Sequence, residues 1–375
     1  MEPLVFVATT FRPNTAPANR WLSFARALSE LGVACEFVFL LPDECNSHVP
    51  DALPGIRFSY PWEGKERSLL FKIKPARQLL LHHYSCRLVR HLESGSKVVI
   101  LEMSNVMFHL LKRKDIAVFH ERTEHPYAYP YKSFSIDHYV RVTPQLAGLF
   151  VISEPLRQYF IAAGVSPEKI CLINMTVDTS RFDGLARNAG DPYIAYCGTA
   201  SNTKDGVDEL IKAFALVHRA HPEVKLHIIG RTPAPEEYSG NLELIRELGL
   251  SSSVVLTGIV PADKMPSVLK DATVLALDRP DNLQAQYGFP TKLGEYLLTE
   301  NPVVVTHVGD IPRFLEDGRS ALIAPPSCPE AFAAKLIWAL ENPDAAGRIG
   351  KEGAQVARHH FNYLTETRKM LDFLR

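Results

Sequence analysis

Short runs of β-branched and aromatic residues alternate along the chain with longer stretches in which apolar positions recur every three or four residues. The first run, 4–10, predicts a strand. Residues 18–31 predict a helix, with Trp21, Leu22, Phe24, Ala25, Leu28 and Leu31 on one face and Gly32 to end it. Further strands are predicted at 34–41, 98–103, 116–120 and 148–153, and a helix at 155–163. Residues 178–191 are polar and aperiodic and predict a linker. The alternation then restarts, with strands at 193–197, 224–229, 254–257, 274–277 and 303–306 and helices at 207–218, 236–248, 264–270, 291–298 and 329–341. Such alternation predicts parallel sheets covered by helices on both faces. The expected fold is α/β, with two Rossmann-like domains, 1–180 and 190–360, facing each other across a cleft. A last helix, about 361–375, carries Tyr363, Met370, Leu371 and Leu374 on one face and is expected to pack back on the first domain. Ligands of such sheets bind beyond the carboxyl ends of the strands.

Composition narrows the function classes. At 375 residues and 46% hydrophobic, the chain can build a core in each half. Its 41 basic and 42 acidic residues nearly cancel, so no global field draws it to nucleic acid, and any anion site must be local. The six cysteines include no C-x-x-C pair and read as free thiols in a reducing compartment. No signal peptide and no bilayer-length apolar run is read, so a cytoplasmic protein is expected. Charge is locally uneven, however. Between 65 and 90 stand Lys65, Arg67, Lys72, Lys74, Arg77, Arg87 and Arg90 against Glu66 alone, interleaved with Leu69, Leu70, Phe71, Leu79, Leu80 and Leu81. This stretch is either the solvated face of a core helix or a surface for anionic lipid.

Two segments suggest anion chemistry. In Gly288-Phe289-Pro290-Thr291-Lys292-Leu293-Gly294-Glu295-Tyr296-Leu297, a proline opens a predicted helix whose first amides and dipole favour an anion. Lys292 adds charge, and Glu295, one turn on, can accept two hydrogen bonds from ribose hydroxyls. An ordinary capped helix with an i,i+3 Lys–Glu pair explains the same residues. The second segment, Gly198-Thr199-Ala200-Ser201-Asn202-Thr203-Lys204-Asp205-Gly206, lies between a predicted strand and helix, where a phosphate loop belongs, although a polar turn would also suit. No G-x-G-x-x-G or P-loop pattern occurs, which argues against nicotinamide cofactors and P-loop nucleotides. His120 ends a strand, with Glu121, Arg122 and Glu124 following. These could form a reaction centre or a structural network.

These segments resemble family 4 glycosyltransferases, enzymes of the GT-B fold. The likeness runs from Gly288 through Pro302-Val303-Val304, Thr306, Gly309, Ile311-Pro312 and Asp317-Gly318, and includes Tyr196-Cys197-Gly198 through Lys204-Asp205-Gly206. It is more diffuse at Asn19-Arg20 and from Glu121 to Pro126. The resemblance implies that Glu295 is the second glutamate of the family's E-x7-E motif and grips the ribose, and that Lys204 meets the diphosphate. Tyr287 stands where the first glutamate would fall, and Thr199 where an arginine is common. Lys292 and Arg231 are the candidates to replace the lost charge. Donor-site residues are thus Gly198, Thr199, Lys204, Arg231, Gly288, Phe289, Pro290, Thr291, Lys292 and Glu295. Catalytic candidates are His120, Glu121 and Glu124, and acceptor-side candidates are Asn14, Asn19 and Arg122.

The resemblance further implies retention of anomeric configuration by a front-face route in which the leaving phosphate takes the acceptor proton. The expected reaction moves a hexose or N-acetylhexosamine from a UDP- or GDP-sugar to a saccharide or lipid-linked acceptor, in surface polysaccharide or glycoconjugate synthesis. No D-x-D motif occurs, Asp278-Arg279-Pro280-Asp281 being nearest, so neither metal nor cofactor is expected. A peripheral position at the inner membrane face is expected if 65–90 meets lipid. The alternatives are an epimerase or hydrolase of the same fold, using Glu121 and Glu124 for proton transfer, or a nucleotide-sugar-binding protein that has lost catalysis.

Overall fold

The computed structural model describes residues 3–50, 52–65, 68–128, 135–188 and 190–375. These fall into two compact units: Met1–Asn174 with Tyr363–Arg375, and Met175–Asn362.

In the first unit the described strands are β1 (Leu4–Ala8), β2 (Cys35–Phe39), β3 (Ile56–Ser59), β4 (Lys97–Ile100), β5 (Ala117–Arg122), β6 (Gly148–Val151) and β7 (Ile170–Leu172). They form one parallel sheet in the order β3-β2-β1-β4-β5-β6-β7. The helices are α1 (Ala16–Glu30), α2 (Lys74–His91), α3 (Val106–Leu110), α4 (Ile136–Val142) and α5 (Glu154–Ala162), joined by the chain's terminal helix, Tyr363–Leu374. Strand order 3-2-1-4-5 is that of a doubly wound sheet. Helix α1 starts two residues before its predicted position because Thr15 caps it, its hydroxyl accepting from the Ala18 amide. Its apolar stripe, with Trp21, Phe24, Ala25 and Leu28, packs into a core with Phe6, Phe37 and Phe39, and Phe6 stacks on Phe37 at 4.5 Å. Met370 and Leu374 of the terminal helix enter this core, and Leu371 packs half-buried against it.

The second unit carries β8 (Tyr193–Cys197), β9 (Lys225–Ile229), β10 (Val254–Gly258), β11 (Val274–Leu277), β12 (Val303–Thr306) and β13 (Leu322–Ala324), all parallel, in the order β10-β9-β8-β11-β12-β13. Its helices are α6 (Asn202–Asp205), α7 (Val207–Ala220), α8 (Pro235–Glu247), α9 (Met265–Asp271), α10 (Leu283–Tyr287), α11 (Lys292–Leu298), α12 (Ile311–Phe314), α13 (Pro329–Glu341) and α14 (Pro343–His360); the terminal helix is α15. Strands β8, β11 and β12 read as unbroken apolar runs because both faces of the sheet are covered.

Several elements differ from expectation. Strands β7 and β13 are only three residues long, too short for a periodicity to register, and β3 is a partly exposed edge strand with Arg57 and Ser59 breaking its apolar run. Residues expected as linker contain a 3-10 turn, Thr179–Phe182, with Phe182 buried, and belong to the second unit. Among the described residues no helix is long and apolar enough to cross a membrane.

Candidate functional site

The backbones that end β8 and β9 approach each other as closely as glycine allows. A Cβ on Gly230 (φ 129°) would lie 2.1 Å from the Gly198 carbonyl oxygen, and a Cβ on Gly198 would lie 2.3 Å from Lys292 Nζ. Gly198 therefore serves Lys292 by leaving room for its ammonium. On the other side of the crossing, Gly230 and Arg231 line a cavity of about 120 Å³ with Ala200, Tyr238 and Asn241. The Arg231 side chain is exposed.

Lys292, expected from sequence to add charge, is held in place. Its Nζ donates to Asp205 Oδ2 at 2.6 Å and to the Tyr196 hydroxyl at 3.1 Å, and lies 4.5 Å from the centre of the Tyr196 ring. The Tyr196 hydroxyl is 2.7 Å from the same Asp205 oxygen and 2.6 Å from the Thr199 carbonyl, so it donates to one and orients toward both. Burial pushes the Asp205 carboxyl up, but Lys292 and then Tyr196 hold it below the usual carboxylate range. Burial lowers the Lys292 ammonium against the pull of Asp205, and the charge of Lys204 lowers it further. Such a pair gives little net stability, since desolvation offsets its attraction, but it fixes the ammonium in one place. Lys204 is half-buried and makes no ion pair among the described residues. One ammonium, Lys292, is thus tied to the Asp205 carboxylate beside the glycine crossing, and a second, Lys204, lies close enough to repel it.

Helix α11 begins at Lys292, so Pro290 precedes the cap instead of opening the helix; Thr291 caps it without a side-chain bond. The helix is joined to the end of β8 through Tyr296, whose hydroxyl accepts from the Cys197 amide at 2.5 Å. Gly288 closes α10, its amide donating to the Gln284 carbonyl. The Phe289 ring is buried in the core, packing against Phe314 and Phe361 at 5.6 and 5.3 Å.

Glu295 is already partnered. Arg181 donates to its Oε1 and to the Ala262 carbonyl. Burial raises the Glu295 carboxyl, Arg181 opposes this, and Asp178 adds to it. The expected two-oxygen grip on a ribose must therefore share this carboxylate with a guanidinium. The loop amides are engaged too. Glu237 Oε1 accepts from the amides of Asn202 and Thr203 at 3.2 and 3.3 Å and from the Ser201 hydroxyl at 3.2 Å. A carboxylate of this chain thus occupies these loop donors. Thr199 is exposed, with only a short side chain where an arginine was sought. Sequence reading missed Arg181, which lay in the supposed linker, and Glu237; no local pattern signals either. Asp205 and Tyr196 lay inside quoted motifs but were given no role.

The first-unit candidates are placed differently from expectation. His120 is fully buried, its Nδ1 3.0 Å from the Tyr139 hydroxyl. Burial, then Arg122, holds its imidazole well below the ordinary value, so it is neutral and faces protein. Glu121 is buried against Arg20, whose Nε donates at 2.5 Å. Neither can meet a substrate in this arrangement, because core packing encloses both. Arg122 is buried as well and donates to the Glu124 carbonyl at 2.8 Å. Glu124 is half-buried, and Asn14 and Asn19 are exposed. Of the sequence's nearest carboxylate pair, Asp278 is buried and Asp281 exposed.

Comparison with known proteins bears on this arrangement. Residues 191–342 match the family model described as glycosyl transferases group 1. The chain is 27% identical over 175 residues to mannosylfructose-phosphate synthase of Agrobacterium fabrum, covering 45% of this chain and 37% of that protein. It is 26% identical over 210 residues to a GDP-mannose-dependent alpha-(1-6)-phosphatidylinositol monomannoside mannosyltransferase of Mycolicibacterium smegmatis, covering 53% and 54%. The matched region thus spans about half or less of these relatives. Among solved structures, Anabaena HepE in complex with UDP and glucose superposes with a TM-score of 0.75 at 15% identity, covering 100% of this chain and 99% of that one. Sucrose-phosphate synthase of Thermosynechococcus elongatus gives 0.76 at 17%, covering 100% and 98%. The fold is GT-B. Both units of this chain lie within the superposed length, and the group 1 match falls on the unit that holds Lys204, Lys292 and Glu295.

Proposed function

We propose that the protein is a glycosyltransferase whose second unit holds a nucleotide-diphosphate sugar. The observation that carries this reading is the ammonium of Lys292, held on the buried carboxylate of Asp205 where the ends of β8 and β9 cross, with the charge of Lys204, unpaired among the described residues, near it. The surplus positive charge suits a diphosphate, and the glycine crossing lets its oxygens approach backbone. The cavity beside Gly230 and Arg231 is contiguous with that crossing and takes the base. Glu295, released in part by Arg181, takes the ribose. The donor is a UDP- or GDP-hexose or N-acetylhexosamine. Lysines neutralise the leaving diphosphate without a metal. Transfer retains configuration, with the leaving phosphate accepting the acceptor's proton, so no protein base is required. This agrees with the enclosure of His120 and Glu121. Glu124 remains the catalytic candidate, and Asn14 and Asn19 remain the acceptor-side candidates.

The acceptor is a saccharide or a lipid-linked saccharide. Exposed Leu69, Leu70, Ile73 and Leu79 stand beside exposed Lys72 and Lys74, and we propose that this face meets anionic lipid at the inner face of the membrane.

Binding can be tested by thermal shift with UDP and GDP. A nucleotide that binds only the folded protein stabilises it by about 2.7 kcal/mol at a hundredfold excess over Kd. Lys204→Ala and Glu295→Ala should each abolish the rise in Tm given by the preferred nucleotide while keeping the parent's unliganded melt. Folded variants that respond like the parent would show the donor placement to be wrong. Incubation with donor alone separates transfer from hydrolysis and epimerisation, since a transferase needs acceptor to turn the donor over.

A further inference from the structure

Outside this site, one cluster of side chains combines metal-binding chemistry with metal-binding spacing. His82 and Cys86 lie four residues apart on α2 and so share a face, one turn apart. His109 comes from α3, shortly after β4, and meets them. His82 Nδ1 is 3.2 Å from His109 Nε2, and Cys86 Sγ is 3.7 Å from His82 Nε2. One ligand atom from each residue falls within 4.8 Å of the other two.

We propose that His82, Cys86 and His109 bind one zinc-class divalent cation that clips α2 to α3. In a tetrahedral site with bonds of about 2.0 to 2.3 Å, neighbouring ligand atoms are roughly 3.3 to 3.8 Å apart, so modest side-chain rotation brings all three donors into range. Two imidazoles and a thiolate, with no carboxylate, select zinc or cobalt over magnesium or calcium. Cys86 is a free cysteine and only half-buried. The exposed His82 leaves a fourth position open to water or another ligand. Such a clip would add to what holds α2. Of its 18 residues only Tyr84 and Ser85 are buried, so little apolar burial holds it in place. It is also the helix beside the basic, apolar face, so the cation would steady that surface.

Without metal, the two rings can explain their own proximity by an N–H···N hydrogen bond, and the experiment must separate the two cases. Full-length protein, stripped with EDTA and dialysed, is titrated with Co2+. The expected result is one equivalent bound, with a thiolate-to-cobalt charge-transfer band and tetrahedral ligand-field bands, both displaced by Zn2+. Zinc should also raise Tm. Cys86→Ser should remove the charge-transfer band, and His109→Gln should weaken binding at least about a hundredfold. Cys45→Ser, whose thiol lies elsewhere and exposed, should change neither. Melting of each metal-free variant shows that it still folds. If stripped parent protein binds Co2+ no better than the folded triple variant His82→Ala/Cys86→Ser/His109→Ala, or binds it without thiolate absorption, the site does not exist.

Discussion

At the residue scale, the second unit keeps ionised groups where they can be held and a carboxyl neutral where it cannot. Asp205 is buried but faces Lys292 and Tyr196, and it stays charged. Asp278, at the end of β11, is equally buried, and its Oδ2 has no hydrogen-bond partner. Burial, then Glu209 and Asp208 in the first turn of α7, raises its carboxyl to about 7. Because the folded state holds this proton more tightly than the unfolded chain, stability is fully present below the unfolded value near about 4 and declines as pH rises through 7. Asp278→Asn removes that decline. Relative to the parent it should gain on the order of 2 kcal/mol between pH 5 and pH 8, read from urea unfolding at both. A constant difference across that range would mean that Asp278 is ionised in the folded protein. Individual residues were only partly legible in the sequence. Lys204, Lys292 and Glu295 stood in a readable order, but what restrains them did not: Arg181 lies 114 residues from Glu295, and Glu237 lies 35 from the Asn202 amide it accepts.

At the scale of elements, buried polar side chains join pieces that the hydrophobic pattern leaves independent. Arg20 of α1 donates to Glu121 of β5 and to the carbonyls of Asn174 and Ile173 just beyond β7, at 2.5, 2.7 and 3.1 Å. The Asn174 amide in turn donates to Glu366 of α15 at 2.7 Å. One guanidinium thus ties a helix to two strand ends, and a carboxylate ties the terminal helix to the same point. Removing one member leaves a buried charge unpaired, so Glu121→Ala should cost about 3 to 5 kcal/mol in urea unfolding. Arg20→Met with Glu121→Leu should cost clearly less, because both charges leave together. Equal costs would mean that the hydrogen bonds to Asn174 and Ile173 carry the stability. The five strands β1, β2, β4, β5 and β6 were legible as apolar runs with nearly correct ends. Helix α14 was not, because its buried face is built from Ala346, Gly350, Gly353, Ala354 and Ala357 with Ile349. Small residues there let it approach closely: a Cβ on Gly350 would lie 2.3 Å from the Glu300 carbonyl oxygen. A hydrophobicity pattern gives such a face little weight.

At the scale of the whole molecule, a net charge of −1 conceals a locally basic segment with exposed apolar residues in the first unit. Within 65–90 the described residues form a 3-10 turn, Leu69–Phe71, and most of α2, but their apolar residues are not all core. Leu69 and Leu79 are each 71% exposed, and Leu70 and Ile73 are half exposed, while Lys65, Lys72 and Lys74 reach solvent between them. Grouped exposure of large aliphatics on a folded protein marks a binding surface, and lysines beside them select an anionic one. Not every basic residue belongs to it. Arg77 donates to the carbonyls of Pro42 and Phe71, so it holds the fold, and Arg67 lies outside the described residues. A test should therefore spare Arg77. Changing Lys65, Lys72 and Lys74 to glutamine removes about 1 kcal/mol of attraction each, roughly a hundredfold or more in partitioning onto phosphatidylserine vesicles. Leu69→Ser with Leu79→Ser should weaken binding by apolar loss instead, and that loss should persist at high salt, where the lysine contribution is screened. All five side chains are exposed, so the variants should melt with the parent. Cosedimentation that is equal for anionic and neutral vesicles, or unchanged in both variants, would assign this face to solvent or to a protein partner.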